Sequence, residues 1–254
     1  MKALFVGVGE ACDERLPNTS VLVRTEAEGR TASALLDCGF TAAHHYFLHA
    51  TDPEELDVLW ISHFHGDHFF GTPALLLRFW EMGRRKPLLV LGQAGVEDIV
   101  RGSMELAYPG FLKKLEFPLE CVAMEAGERR EAFGCSWRCA EGVHGKRNLA
   151  LRIDDGARSI FYSGDGQPTP ETLALAERCD LVVHEAFSVN DALGGHNNVT
   201  GSVEFALRAR ARRLAAVHVR RDVRKNRRGE ILAVLTAARG LEAMLPEPGD
   251  EIEL

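Results

Sequence analysis

Ile61-Ser62-His63-Phe64-His65-Gly66-Asp67-His68 decides how the rest of this chain is read. Three histidines and one aspartate crowd into six residues, directly after the strand-like run Leu56-Asp57-Val58-Leu59-Trp60. Alternate side chains of a strand share a face, so His63 and His65 are expected to enter one pocket as the strand ends. The turn that follows carries Asp67 and His68 round beside them. Neutral imidazole and carboxylate are preferred ligands of zinc and similar divalent ions. Four such residues at this spacing make two adjacent metal sites. The competing reading, a polar strand-end loop with chance histidines, does not account for all four.

The segment resembles the His-x-His-x-Asp-His signature of the metallo-β-lactamase superfamily. Further ligand-type residues follow in that family's order. His144 follows the apolar-alternating stretch Phe133 to Val143, Asp165 sits in Ser163-Gly164-Asp165-Gly166, and His218 closes Leu214-Ala215-Ala216-Val217. The resemblance implies that His63, His65 and His144 hold one metal ion and that Asp67, His68 and His218 hold the other, with Asp165 bridging. It implies two divalent ions, zinc first, with manganese or iron acceptable to the same donors. It also implies an α/β fold, a four-layer αββα sandwich with the metals at one edge of the sheets. A hydroxide held between two such ions is a nucleophile at neutral pH, and the ions neutralise the oxygen that gains charge.

Within the superfamily the ribonuclease Z branch is the nearest in sequence pattern. Phe70-Gly71-Thr72-Pro73-Ala74-Leu75-Leu76 is similar to its Phe-Gly-Leu-Pro-Gly-Leu-Leu run. Val6-Gly7-Val8-Gly9 with Asn18-Thr19-Ser20 is similar to its Gly-x-Gly…Asn-x-Thr-Ser start, and His184-Glu185-Ala186-Phe187 resembles its His-Glu-Ala-Thr motif. The resemblance implies a catalytic set of Asp67, Glu185 and His196. His196 would protonate the leaving oxygen or clamp the phosphate, and Glu185 would hold His196. The glycine pair Gly194-Gly195 lets the backbone come close to the site.

Two departures narrow the substrate. Ribonuclease Z enzymes carry a tRNA-gripping arm between the third histidine and the bridging aspartate; here only twenty residues separate His144 from Asp165. The branch's Asp-Cys-Gly-Glu-Gly-Thr motif reads Asp37-Cys38-Gly39-Phe40-Thr41, without the acid. The expectation is an armless phosphodiesterase acting on a small phosphodiester or a short nucleic-acid end. A carboxylic ester or thioester hydrolase on the same dinuclear site is the alternative enzyme. A non-catalytic metal-binding scaffold is the third reading, against which stands the complete ligand set. A lactamase usually has Cys where Asp165 stands, and the diiron oxygen-reducing branch has Glu where His65 stands.

Composition sets the frame. At 254 residues, 46% of them apolar, the chain reads as one domain, residues 1–254, with a sizeable core. No apolar run approaches the roughly 20 residues that span a bilayer, so no membrane partner is expected. Met1 to Glu10 reads as a first strand and not a signal peptide. The six cysteines are scattered and read as reduced thiols of a cytoplasmic protein. A net charge of −7 argues against a generic nucleic-acid binder. Yet ten of the thirty Lys and Arg residues lie between Arg208 and Arg228. Arg220, Arg221, Arg224 and Lys225 follow His218, and Lys146 and Arg147 follow His144. Lys146, Arg147 and Arg220 are therefore candidate substrate-binding residues; a solvated helix face is the plain alternative.

Strand-like segments fall at 2–8, 20–24, 34–37, 57–62, 88–91, 119–124, 133–140, 148–153, 159–163, 181–184 and 213–219. Helical stretches fall at 41–50, 67–80, 95–107, 169–178, 200–211 and 229–239, with Thr200 a candidate N-cap. Strands first, then strands alternating with helices, twice over, fit two sheets packed face to face with helices outside. Pro73 to Trp80 is apolar nearly all round and needs cover on both sides. Core packing supplies one side, and a homodimer contact is expected on the other.

Overall fold

The computed structural model describes residues 1–27, 30–50, 52 and 54–254, with backbone alone at residues 27 and 30. The N-terminal half opens with the antiparallel strands β1 (Lys2–Gly7), β2 (Ser20–Ala27) and β3 (Arg30–Leu36). It continues through α1 (Ala42–His49), β4 (Leu56–Ile61), α2 (Gly66–Phe69), α3 (Thr72–Glu81), β5 (Leu88–Gly92), α4 (Val96–Ala107) and β6 (Leu119–Ala123). From β3 to β6 the strands run parallel, a pairing that needs long crossovers between neighbours.

The second half repeats the plan. The strands β7 (Arg129–Ala132), β8 (Cys135–Gly142), β9 (Asn148–Asp154) and β10 (Ser159–Tyr162) are antiparallel. Then follow α5 (Pro170–Leu175), β11 (Leu181–Glu185), α6 (Val199–Arg208), β12 (Arg213–Val217), α7 (Arg221–Asn226), α8 (Arg228–Ala237) and β13 (Glu242–Met244), with β10 to β13 parallel. The last strand, β14 (Glu251–Glu253), returns to pair with β1. The two sheets are therefore ordered β14-β1-β2-β3-β4-β5-β6 and β13-β12-β11-β10-β9-β8-β7.

Both faces of each sheet are covered, which is why the central strands read as near-continuous apolar runs. Phe5, Trp60 and Leu91 from one sheet meet Trp137, Leu151, Tyr162 and Val183 from the other in a shared inner layer. Tyr46, Leu76, Phe79 and Val100 pack the first sheet's outer face, and Leu175, Phe205 and Ile231 the second's. Burying each such side chain contributes about 1.5–3 kcal/mol. The result is the αββα sandwich expected from the sequence.

Several boundaries differ from expectation for local reasons. The helix expected over 67–80 is two helices, because the chain crosses itself there. Gly71 donates its N–H to the Cys38 carbonyl at 2.9 Å, and a Cβ on Gly71 would stand 2.0 Å from the Gly39 oxygen. The N-cap of α6 is Asn198, not Thr200: the Asn198 side chain accepts from the Gly201 N–H at 2.7 Å, and Asn caps at least as well as Thr. The strand expected from 133 starts at Cys135, since Phe133 and Gly134 turn with positive φ. The outward face of α3 presents Ala74, Leu77 and Arg78, while Pro73, Leu75, Leu76 and Phe79 are buried. Among the described residues no helix is long and apolar enough to cross a membrane.

Between His144 and Asp165 the chain makes a short hairpin. β9 and β10 pair in register from Leu151↔Tyr162 to Asp154↔Ser159, closed by an Asp155 N–H to Arg158 carbonyl bond of 3.0 Å. Those residues leave no length for an arm.

Candidate metal centre

In sheets with parallel strands, ligand sites form where the strands' carboxyl ends meet. His63 and His65 follow β4, His144 follows β8, Asp165 follows β10 and His218 follows β12, and all gather at one edge. Asp67 and His68 come from α2, which starts right after the strand-end turn. Ligand-type atoms fall into two groups within 4.8 Å each: His63, His65, His144 and Asp165; and Asp67, His68, Asp165 and His218. Asp165 is common to both. The backbone bends sharply to achieve this: His218 has φ +55°, a left-handed conformation that bulky residues adopt only where the surroundings hold it.

The atoms suit a cation. Nε2 of His63 and Nε2 of His144 lie 3.0 Å and 3.1 Å from Nδ1 of His65. Nδ1 of His144 faces the Gly195 carbonyl at 2.6 Å; a carbonyl only accepts, so Nδ1 carries the proton and Nε2 a lone pair. The Ser62 hydroxyl donates to Asp37 Oδ2 at 2.7 Å and lies 3.1 Å from His63 Nδ1. Its single proton is thus used, His63 Nδ1 donates to it, and His63 Nε2 is also a lone pair. His65 Nδ1 can carry only one proton, so at least one of the two lone pairs facing it stays unpaired, and a cation would join all three nitrogens. In the second group, Nε2 of His218 lies 3.3 Å from Asp67 Oδ2 and 3.5 Å from Asp165 Oδ2. His68 Nε2 and Asp165 Oδ1 are buried without a hydrogen-bond partner, 3.4 Å apart but not aligned to bond each other. Buried polar atoms of this kind call for a partner, and a divalent cation fits the donors.

A second layer fixes the rings. Asp37, fully buried with φ +62°, accepts from the Ser62 N–H, the Ser62 hydroxyl and the Tyr162 phenol, each at 2.7 Å. His68 Nδ1 lies 2.7 Å from the same carboxylate, which sets the tautomer so that Nε2 faces inward. Asn148 donates to the Ser163 carbonyl at 2.8 Å and accepts from the Asp165 N–H at 3.2 Å, shaping the turn that carries Asp165. Gly164 sits in that turn with φ +58°, and a Cβ there would stand 2.2 Å from Asn148 Oδ1. Sequence reading did not find these supports. Their one signal was an acid, Asp37, closing an apolar strand.

Electrostatics separate the histidines. Burial, reinforced by His68, holds the pKa of His63 well below the ordinary value, and burial with His144 lowers that of His65. Burial also opposes charge on His68, but Asp165 and Asp37 outweigh it and raise its pKa well above the ordinary value. For His218, Asp165 and Asp67 outweigh burial in the same way and raise it to about 9. Burial would raise both carboxyls, yet His218 and His68 hold Asp67 and Asp165 far below the usual carboxylate range.

Glu185 and His196 complete the edge. Glu185 ends β11, is fully buried, and accepts from the Gly166 N–H at 2.8 Å and the Asn197 N–H at 3.1 Å. Its Oε1 lies 3.0 Å from His196 Nδ1. The His196 ring stacks on Phe187, centroids 4.5 Å apart, and stands 4.9 Å from the ring of His144. With His218, the pair forms a third group of ligand-type atoms. Burial works against charge on His196, but Glu185 outweighs it and the pKa is raised.

The cationic rim is thinner than composition implied. Arg147 pairs with Glu125 at 2.6 Å and Glu141 at 3.0 Å, and Arg220 forks onto Asp222 at 2.5 and 2.8 Å. Arg221 bonds Glu10, and Arg224 is buried, donating to the Pro246 carbonyl. These guanidinium groups are held by neighbouring acids, and a substrate anion meeting Arg147 or Arg220 would compete with Glu125, Glu141 or Asp222. Lys146 is exposed and has no ion-pair partner among the described residues.

A sandwich that closes on such an edge is the metallo-β-lactamase fold, here with residues that could hold metal ions. Within that class, the chain belongs to the family of the anti-Pycsar protein Apyc1, whose family model matches residues 1–227; sequence reading did not single out this family. The ribonuclease Z of Anoxybacillus flavithermus is 27% identical over 271 aligned positions, covering 86% of each chain. Among solved structures, the metallo-β-lactamase fold protein YhfI of Bacillus subtilis superposes with a TM-score of 0.79 at 22% identity, covering 99% of this chain and 98% of its own. The short form of human tRNase Z gives 0.80 at 20% identity, covering 100% and 99%. These two likenesses are of fold.

Proposed function

We propose that the chain is a dinuclear phosphodiesterase acting on small phosphodiesters, with residues 1–254 as one catalytic domain. His63, His65 and His144 would hold one divalent ion, Asp67, His68 and His218 the other, and Asp165 both. Zinc is the ion we favour; manganese and iron suit the same donors. Bound ions would supply Lewis acidity, activating water and neutralising the oxygen that gains charge.

The observation that carries this reading is His196, its Nδ1 fixed at 3.0 Å by the buried Glu185 beside the two ligand groups. An alkoxide leaving from phosphorus needs a proton, and a positioned acid contributes about 10²–10⁴-fold. Glu185 orients the imidazole and stabilises its charged form, leaving Nε2 to deliver the proton. A thiolate, with a conjugate-acid pKa of about 8.5, departs without such help, so the pair favours phosphodiesters over thioesters. The short β9–β10 hairpin, where the ribonuclease Z resemblance places an arm, favours a small substrate over folded tRNA. Lys146 is the cation we place at the cleft mouth. The outward face of α3 with exposed Leu48 of α1 supports a homodimer contact, and six free thiols support a cytoplasmic home.

Elemental analysis of the purified protein should find about two ions per chain. The loaded enzyme should hydrolyse bis-para-nitrophenyl phosphate and bind full-length precursor tRNA weakly. On a phosphodiester with an alkoxide leaving group, His196→Ala should keep its metal and lose turnover on the order of 10²-fold or more. Thioester hydrolysis with no phosphodiester hydrolysis would replace this reading with the thioesterase alternative, and a loss of only a few-fold in His196→Ala would remove the pair from the reaction.

A further inference from the structure

Two phenylalanines stand exposed beside the metal centre, and the proposed reaction makes no use of them. Phe40 is 54% exposed and Phe70 47% exposed. Their ring centroids are 5.8 Å apart with the planes inclined at 31°. Both rings rest on Gly66, the residue between His65 and Asp67. A Cβ at Gly66 would stand 2.5 Å from Phe70 Cδ2 and 2.7 Å from Phe40 Cζ. The buried ring of Phe69 backs Phe70 at 4.3 Å. The Gly39 backbone is equally close-set, since a Cβ there would stand 1.9 Å from the Asp67 oxygen. Phe70 thus follows directly on the turn that carries the metal-ligand motif, and Phe40 sits on the neighbouring turn packed against its backbone.

A single exposed apolar side chain is ordinary. A contiguous exposed aromatic pair beside a metal-ligand motif is the pattern of a ligand surface. Phe40 also replaces the acid that the resembled Asp-Cys-Gly-Glu-Gly-Thr motif carries at this position. An acid beside the centre repels an anionic phosphodiester, whereas a phenyl ring removes that repulsion and offers a stacking face.

We propose that Phe40 and Phe70 form a shelf that stacks a planar aromatic substituent of the substrate, so that they determine specificity for aryl-bearing or similarly flat phosphodiesters over alkyl ones. This takes its substrate from the phosphodiesterase reading, but the binding step can be tested without turnover. Phenylphosphonate and methylphosphonate share one anionic head and differ in the ring. Titrated calorimetrically into metal-loaded protein, phenylphosphonate should bind about tenfold more tightly, the factor one good ring contact contributes. Phe40→Ala and Phe70→Ala should each bring that ratio towards one, with metal content, melting temperature and methylphosphonate affinity unchanged, and Phe40→Trp should keep it. A ratio near one in wild type, or a ratio untouched by both alanine variants, overturns the shelf. So does a variant that changes only the sedimentation of the protein from dimer to monomer, since the rings would then belong to a contact between copies. If bis-para-nitrophenyl phosphate is not hydrolysed while the phosphonate ratio behaves as stated, the phosphodiesterase reading fails alone and the shelf stands.

Discussion

His63, His65 and His144 meet on the open side of the centre, where His65 is exposed and His144 half-buried; Asp67, His68 and His218 lie buried with Asp165. The same residue type behaves in opposite ways in the two groups. Around His63 and His65, desolvation and the neighbouring histidines outweigh the pull of Asp165, 4.0 Å from His63, and lower both pKa values, leaving lone pairs ready. Carboxylates on two sides of His68 and beside His218 pull protons onto those rings when no ion is present. The first group is prepared for a cation, while the second must release protons to accept one. Burial alone therefore says little about a histidine's role, and the count of facing carboxylates decides its charge.

The largest expected effect comes from the residue that belongs to both groups. Asp165→Ala should drop metal content well below one ion per chain and lower activity beyond the 10–100-fold typical of a supporting residue; retention of either ion at full occupancy would undo the shared assignment. Asp37→Asn should act mainly on one group. It removes the charge facing His68 Nδ1 and should weaken the buried ion by about 10–100-fold, with a smaller effect in a competitive chelator titration on the open group, which Asp37 reaches only through the Ser62 hydroxyl beside His63 Nδ1. Equal weakening of both ions would erase the contrast between the groups.

A smaller effect concerns the ion-free protein. The raised pKa of His218, about 9 against an ordinary 6.5, with that of His68 also raised, means that the charged rings stabilise the fold. That stabilisation is fully present below the unfolded pKa and is lost as pH rises through the folded one. The melting temperature of chelator-stripped protein should therefore fall by a few degrees between about pH 6.5 and pH 9. The loaded protein, whose rings serve as neutral ligands, should vary less over that window, and parallel pH profiles for the two forms would count against protonated rings in the empty centre.

Much of this was legible because the candidate ligands sit at or just after strand ends, embedded in recognisable local patterns. His63 to His68, Asp165 in its glycine turn and His218 after an apolar strand each announce themselves within a few residues. Glu185 and His196 were legible only by resemblance, yet the structure places them within hydrogen-bond reach. What stayed hidden depends on distant partners. The phenol of Tyr162 reaches Asp37 across 125 residues, and no local spacing encodes that. Arg147 reads as a free cation until Glu125 and Glu141 are seen beside it. The edge strands β7, β13 and β14 are short and carry charged residues, a composition that guards sheet edges while erasing the alternation by which strands are recognised.

The hairpin between β9 and β10 has one more consequence. β9 leaves the metal edge and β10 returns to it, so their turn, exposed from Gly156 to Arg158, lies at the far end of the strands. Closing a longer loop there costs only about 0.6 kcal/mol per doubling of its length, and none of the ligands depends on it. The turn is a socket: an engineer could splice a recognition module between Asp155 and Ala157 and give the same centre a larger clientele without repositioning a single donor atom.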